Sequence, residues 1–438
     1  MSKNNSSKNK IETLKRILKS LHEGESLEDL KRKFKDVLEG ISPSEIPLVE
    51  QELVKEGVPI SELLRLCDLH VELLRESLRS RELKGVPRGH PVDLLSRENT
   101  HIAKLARALS IYAEALSKAV SGEKTKYLEA ISDVVAQLRR TRLHYRKIQM
   151  LIFPYLERRG ITAVPRVLWG REDQAMVKLR GIQALIEKGL NKPEEYSSSI
   201  AEKAREIAGE IFELIFREEK ILLPAVWALL SEGEWATIHE IAKEMGYLVP
   251  AEGEWAPKAE PLLPHQVKGT VTAEQLEKLP QEFRFAAQAT LTPDTYEVKS
   301  EGDLEFETGF LSREEAEALF RHLPLEMTYA DAEGRVKFFS QSVLGGGFVR
   351  AKTIIGRRFE YCHPPRLERM VKSVVEELKS GKSSFREYWT RLGNRVIRVL
   401  VVAVKDKSGK YLGTLEMVED LTDMINNPEE IKKKIVVL

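Results

Sequence analysis

The spacing of apolar residues changes once along this chain, and the change limits what it can fold into. Up to about residue 246 the apolar positions recur every three or four residues, the repeat of an amphipathic helix. Beyond about residue 313 they form short runs between turn signals such as Asp331–Gly334, Gly381–Ser383, Gly393-Asn394 and Asp406–Gly409, the pattern of strands. Residues 247–266 hold four of the nineteen prolines (Pro250, Pro257, Pro261 and Pro264) and little periodicity, as a linker would. At 438 residues the chain also exceeds the size at which one hydrophobic core stops growing. A multidomain chain follows, all-α at first and α+β at the end.

Composition removes several classes of function. Hydrophobic residues make up 42% and charged residues 31%, enough for real cores and unlike a disordered or collagen-like chain. Lys plus Arg number 69 against 68 Asp plus Glu, a net charge of +1, which argues against a chain built to coat nucleic acid. Asn and Gln number only 8 and 10 beside abundant Lys, Glu and Arg, a thermophile's balance. Residues 1–10 are polar and lack the apolar region of a signal peptide. The apolar stretch Val399–Val404 falls far short of the roughly 20 residues of a membrane helix, so a cytoplasmic protein without membrane contact is expected. Two cysteines, Cys67 and Cys362, cannot supply a four-Cys zinc or iron–sulfur site.

Within the α part, residues 1–85 read as an N-terminal helical domain: Ile11, Leu14, Ile17, Leu18 and Leu21 form one stripe, and Leu27, Leu30, Phe34, Val37 and Leu38 another. Residues 86–246 contain four longer periodic segments, about 91–120, 123–158, 166–190 and 197–231, the pattern of an up-down four-helix bundle, followed by a short helix at Trp235–Met245. Residues 247–312 read as the proline-rich linker and a hairpin formed by Thr295–Val298 and Leu304–Thr308. Residues 313–425 form the α+β domain with one long helix at about 364–379, and 426–438 a tail.

Three sets of residues carry resemblances. Tyr329-Ala330-Asp331, Ile355-Gly356-Arg357, His363-Pro364, Lys407–Gly413 and Glu419-Asp420-Leu421-Thr422 together resemble a PAS sensor domain. Gly89-His90-Pro91, Glu98-Asn99, His144 ahead of Phe153-Pro154, Val167-Leu168-Trp169 and Glu218-Glu219 ahead of Leu222-Leu223-Pro224 resemble a hemerythrin-like (HHE) bundle. Leu21–Gly24, Glu50–Leu53 and Leu66–His70 look like a helical domain of unknown function that is typically joined to the other two. The combination implies a prokaryotic sensor-type protein. It further implies a signalling partner protein or a homodimer through the PAS domain.

The hemerythrin resemblance implies a metal centre, and the sequence departs from it at definite places. A full di-iron site needs five histidines, whereas residues 90–246 contain four: His90, His101, His144 and His239. Ile148 stands where Glu would follow His144, Glu172 where His would precede Asp173, and Leu214 where His would precede Glu218. A reduced set survives, His90, His144, Glu172 and Glu218, one from each helix, that suits iron, manganese or zinc. The other reading is a degenerate bundle whose core polar residues bond one another. Glu98-x-x-His101 matches half of a ferritin-type site but has no second copy, so it reads as a polar helix face.

Two Cys/His neighbours could bind a cofactor. Cys67 with His70, and Cys362 with His363, could each offer an axial ligand to a haem, or serve structure alone. In the PAS domain Pro364 suits a first helical turn, and the Gly345–Gly347 run reads as a loop over the ligand cavity. Along the strand near residue 400, Ile397, Val399 and Val401 should face the core, and Arg398 solvent or a polar ligand. No phosphate-loop or dinucleotide motif is present. The favoured function is a cytoplasmic sensor or regulator with a small ligand or haem in the PAS domain and a metal in the bundle. An iron or redox enzyme acting on O2 or NO, and a partner-docking protein without catalysis, are the alternatives.

Overall fold

The computed structural model describes residues 83–271, 292–341 and 350–436, with isolated positions such as Gln275 and Phe348 besides. The N-terminal helical domain, Cys67 and His70 among it, falls almost wholly outside the described residues, as does the Gly345–Gly347 run. The chain divides into two compact units, one ending at Tyr296 and the other starting at Glu297.

The first unit is built on four helical rods. The first rod, α1 (Pro91–Lys118), starts with Pro91 at a position that needs no N–H, and with His90 as its cap, Nδ1 accepting from the Val92 N–H at 3.1 Å. The second runs through α2 (Lys124–Leu138), a 3₁₀ turn (Arg139–Thr141), α3 (Arg142–Lys147), a π-helical turn (Ile148–Ile152) and α4 (Phe153–Arg158). The third is α5 (Ala163–Asn191). The fourth comprises α6 (Pro193–Arg217), a second π-helical turn (Glu218–Leu222) and α7 (Leu223–Leu229). Each π turn ends two residues before a proline, Pro154 or Pro224. Proline cannot donate to the carbonyl four residues back and its ring presses on it, so the backbone widens there.

Two apolar cores fill the unit at different heights. Ile102, Leu109, Leu138, Leu179, Ile186, Ile207 and Ile211 belong to one. Val92, Leu95, Ile148, Leu151, Leu168, Leu222 and Trp235 belong to the other. The short helix α8 (Glu232–Met245) closes the second core; its capping residue Glu234 also takes both arms of the buried Arg159 guanidinium, at 2.7 and 2.9 Å.

The proline-rich segment is extended as expected, but residues 246–267 are strapped onto the bundle rather than held free of it. The Leu262 N–H donates to the Gly233 carbonyl at 3.0 Å, the Tyr155 hydroxyl to the Leu262 carbonyl at 2.6 Å and Arg158 Nε to the Val267 carbonyl at 2.9 Å. Prolines keep the segment out of an α-helix, apart from one 3₁₀ turn at Pro264–Gln266, and its backbone groups bond the rods instead.

The second unit holds a five-stranded antiparallel sheet in the order β4-β3-β7-β6-β5, with β3 (Glu326–Asp331), β4 (Val336–Phe339), β5 (Phe385–Leu392), β6 (Arg395–Lys405) and β7 (Tyr411–Asp420). Asp331 and Asp406 build two of its turns, each carboxylate accepting two backbone N–H groups ahead of it. After α9 (Arg313–His322), the helix α10 (Pro365–Lys379) packs Val374 and Leu378 on Val399 and Val401, so this face of the sheet is the inner one. Arg398, on the other face, pairs with Glu387 and Glu419 at 2.7 and 2.9 Å. The hairpin departs from the sequence expectation: β1 (Leu304–Phe306) pairs with β2 (Gly309–Leu311), and residues 295–298 form no strand. A two-residue turn at Glu307-Thr308 closes that ladder at the least loop length. Two helices, α11 (Thr422–Asn426) and α12 (Pro428–Lys433), follow β7.

Gly160 ends the second rod in a left-handed conformation, φ +78°, with the Ile161 N–H returning to the Leu156 carbonyl at 2.9 Å. A Cβ there would also collide with the Thr292 carbonyl. Gly160→Ala should therefore lower the stability of the helical unit by about 1–3 kcal/mol, read as a drop in its chemical denaturation midpoint; an unchanged midpoint would contradict this packing.

Candidate functional site: a buried ion chain in the bundle

Between the two apolar cores lies one charged layer, fed by all the rods. Glu98 comes from α1, His144 and Lys147 from α3, Glu172 from α5 and Glu218 from the π turn of the fourth rod; all five are buried. Each sits on the apolar stripe of its own rod, between Leu95 and Ile102, Leu138 and Ile148, Leu168 and Leu179, or Ile211 and Leu222. The helical repeat thus points them inward whatever their polarity.

Their bonds form a chain. His144 Nδ1 lies 2.7 Å from Glu98 Oε2, and its Nε2 lies 2.8 Å from Glu218 Oε2. The Lys147 ammonium donates to Glu98 Oε1 at 2.5 Å and to the Gly246 carbonyl at 3.0 Å, and lies 4.3 Å from the centre of the Tyr247 ring. The Leu248 N–H donates to the same Glu98 oxygen at 2.7 Å, so the strap closes this end. Glu172 accepts from Gln149 Nε2 at 2.6 Å. Around this layer Glu219 accepts from Asn99 and Ser96.

Burial and charge set the protonation states. For His144, burial pulls the pKa down, but the charges and hydrogen bonds of Glu218 and Glu98 outweigh it and raise it to about 9. Burial raises Glu98, yet bonding to His144 and then Lys147 holds its carboxylate below the usual range. Burial pushes the Lys147 ammonium down, against the pull of Glu98. Burial and then the Glu218 charge lift Glu172 to about 8, so at neutral pH it is a carboxylic acid. At neutral pH an imidazolium therefore lies between Glu98 and Glu218, with the neutral acid of Glu172 beside it.

The structure redistributes the four residues expected to share a metal. His144, Glu172 and Glu218 belong to this layer, but His90 does not. As the cap of α1 its ring is packed among Trp227, Trp235 and Trp255, with centroids 4.9, 4.8 and 4.5 Å away. Burial, then His239, pushes its pKa down to about 3, which keeps Nδ1 free to accept the capping N–H. Glu98 takes the fourth place. It is no exposed partner of His101; its position on the apolar stripe between Leu95 and Ile102 was the signal for its burial.

These residues do not fit a metal of the hemerythrin kind. Both nitrogens of the single imidazole hold carboxylates, and an ammonium occupies Glu98. Ile148 and Leu214, at places where ligands would stand, are packed in apolar clusters. Glu172 Oε1 and Glu218 Oε1 lack hydrogen-bond partners, but two oxygens make no closed ligand set. Among the described residues no group of three His, Cys, Asp or Glu side chains is placed to hold a metal.

In the sheet unit, His363 Nδ1 lies 3.1 Å from the Phe359 carbonyl and its Nε2 3.6 Å from Glu416 Oε2; bonding to Glu416 raises its pKa. Cys362 points its thiol at the Arg358 carbonyl, 3.7 Å away, and burial raises it. Neither offers a free, preformed ligand atom for a haem. The sequence reading missed the neighbouring Arg350, which joins Glu326 and reaches Thr328 Oγ1 at 2.7 Å and Glu416 at 3.3 Å. Glu326, Thr328 and Glu416 line up across β3 and β7 on the inner face, where Ala330 meets the helix-side core.

A rod bundle with a polar layer and a five-stranded antiparallel sheet covered by one helix define the class: a helical module joined to a PAS-type domain. Family profiles match the same parts: a family of unknown function (DUF438) at residues 14–80, a hemerythrin HHE cation binding domain at 90–226 and a PAS domain at 316–422. The chain combines these three. Solved structures similar to it include the C-terminal domain of a Streptococcus mutans protein, at 31% identity over 28% of this chain and 96% of that one, TM-score 0.27. A PAS domain from Colwellia psychrerythraea has 16% identity over 25% and 97%, TM-score 0.21. A sensory box sensor histidine kinase from Vibrio cholerae has 12% identity over 24% and 88%, TM-score 0.19. No curated protein matches the chain. Among the described residues no helix is long and apolar enough to cross a membrane.

The ion chain makes stability depend on pH. His144, raised to about 9, contributes fully below its unfolded value of 6.5 and loses that contribution as pH rises through about 9. Glu172 acts in the same direction between 4.5 and about 8, while the contribution of His90 is lost only as pH falls from 6.5 toward 3. Thermal melts of the helical signal should therefore fall from pH 6.5 to 9. His144→Gln should flatten that slope and cost about 3–5 kcal/mol, because it breaks a buried pair. A profile equally steep in the variant would contradict the assignment.

Proposed function

We propose that the chain is a cytoplasmic sensory or regulatory protein whose PAS domain takes a small polar ligand, and whose bundle works as a helical module held by its own ions rather than by a metal. The observation that carries the ligand reading is the Arg350–Glu326–Glu416–His363 cluster on the inner face of the sheet. Apolar replacement of buried ion pairs is often neutral or stabilising, so a domain that needed only stability would not require charges there. Glu416 is bonded to Arg350 and sits beside His363, two residues before α10 starts at Pro365. A ligand that competes for Arg350 or Glu416 has a differential interaction with two positions of that helix, the requirement for a ligand-driven shift. Such a ligand carries a carboxylate or amine of its own.

The iron or redox enzyme reading finds less support, because Lys147 and His144 already neutralise Glu98 and Glu218. Iron, manganese or zinc should be found only at background in the purified chain, and a chelator should leave its melting temperature unchanged.

The ligand reading is tested by a thermal-shift screen of small carboxylates, amines and amino acids on the full chain. At least one compound should raise the melting temperature of the sheet unit, and Arg350→Met should abolish that shift. No hit, or a hit indifferent to Arg350, would sink the polar-ligand reading. A purified chain with a haem absorption band that His363→Ala removes would replace it with the haem reading.

A further inference from the structure

A cavity of about 560 Å³ opens between the second and third rods, with Gln149, Glu172 and Met245 among its lining residues. Its volume is that of a small-molecule site, typically about 300–1,000 Å³. Five arginines line it: Arg139, Arg140, Arg142 and Arg146 from the second rod, and Arg180 from α5. Arg139, Arg142 and Arg146 are three and four residues apart, the spacing that places side chains on one helix face. Trp169, 43% exposed, supplies a broad aromatic surface to the same cavity.

What separates this group from ordinary surface charge is that cations without counter-ions among the described residues are gathered in one cavity. Several cations elsewhere on the bundle are paired: Lys124 with Glu194, Lys178 with Glu206 and Glu210, Arg205 with Glu114, Arg88 and Arg97 with Glu252. Of the five arginines, only Arg139 has a side-chain partner among the described residues, the neutral Gln183 at 2.6 Å. Asp173 is the one exposed carboxylate among the lining residues, against five guanidinium groups. The chain as a whole carries a net charge of only +1, so this excess is local. A second feature marks the wall. Glu172 is fully buried, lines the cavity and has an oxygen without a hydrogen-bond partner. A polar group so placed gains a partner when a ligand enters.

We propose that this cavity binds a phosphate-bearing small molecule with an aromatic ring, of mononucleotide size, its phosphates held by the arginines and its ring laid against Trp169. Guanidinium forks match phosphate oxygens two at a time, and five of them suit more than one phosphate. A flat ring on the Trp169 indole adds contact that inorganic phosphate lacks. The site lies in the bundle, so it stands independently of the ligand assigned to the PAS domain.

Isothermal titration of the full chain with ADP, AMP, adenosine and inorganic phosphate, at about 150 mM salt to screen loose charge attraction, tests the proposal. ADP should bind more tightly than AMP, and both more tightly than adenosine or phosphate. Arg142→Gln with Arg146→Gln should weaken ADP at least tenfold, and so should Arg180→Gln on the neighbouring rod, while far-ultraviolet circular dichroism and the melting temperature stay unchanged. Trp169→Ala should weaken ADP and leave phosphate as it was. No binding of ADP at millimolar concentration, or binding indifferent to both sets of arginine variants, overturns the proposal. So does binding of an acidic polypeptide such as polyglutamate with no binding of ADP, which would make the groove a protein-docking surface.

Discussion

The bond between His144 and its two glutamates is the constraint on which the helical unit depends. Burying a carboxylate unpaired costs several kcal/mol, and two of them, Glu98 and Glu218, lie between apolar cores that offer no water. Only an imidazolium reaching one with each nitrogen, with the Lys147 ammonium on the far side of Glu98, makes that layer affordable. The bonds cross from the first rod to the second and from the second to the fourth. They extend to the strap through Gly246 and Leu248. A slip of the first, second or fourth rod by one turn would leave a charge without its partner, so the layer fixes the register of these three rods.

Much of this was legible in the sequence, and the misses have physical causes. Four rods and a following sheet followed from hydrophobic period, because period is what decides which face of an element can be buried. His144, Glu172 and Glu218 are buried, each on its helix's apolar stripe, where period alone places them. His90 was misplaced because a motif carried it: Gly89-His90-Pro91 opens a helix, and its imidazole is spent on capping the Val92 N–H. Glu98 was undervalued for the opposite reason. Paired by eye with His101 it reads as a surface group, whereas its neighbours three and four residues away, Leu95 and Ile102, place it in the core. Lys147 was missed because nothing in a single sequence says that a lysine three residues after a buried histidine will find a carboxylate across the bundle. The prolines of the strap announced extended backbone, but not which carbonyls and hydroxyls would hold it.

The two units use buried charge in different ways. In the bundle the ions link rods whose apolar cores flank them on both sides. In the sheet unit Arg350, Glu326, Glu416 and His363 cluster where the sheet meets the segment leading into α10. There the ions bond β3 and β7 to His363, the neighbour of Pro364, which precedes α10 by one position.

The protonation state of His144 tests the account most directly. In full-length protein labelled with ¹⁵N-histidine at pH 7.5, with the resonance assigned by its loss in His144→Gln, both ring nitrogens should carry the chemical shifts of an imidazolium. They should stay there after exhaustive chelation and after addition of iron, manganese or zinc. A ring with one unprotonated nitrogen, or shifts that move when metal is removed or supplied, would show that a metal rather than a protein cation neutralises Glu98 and Glu218.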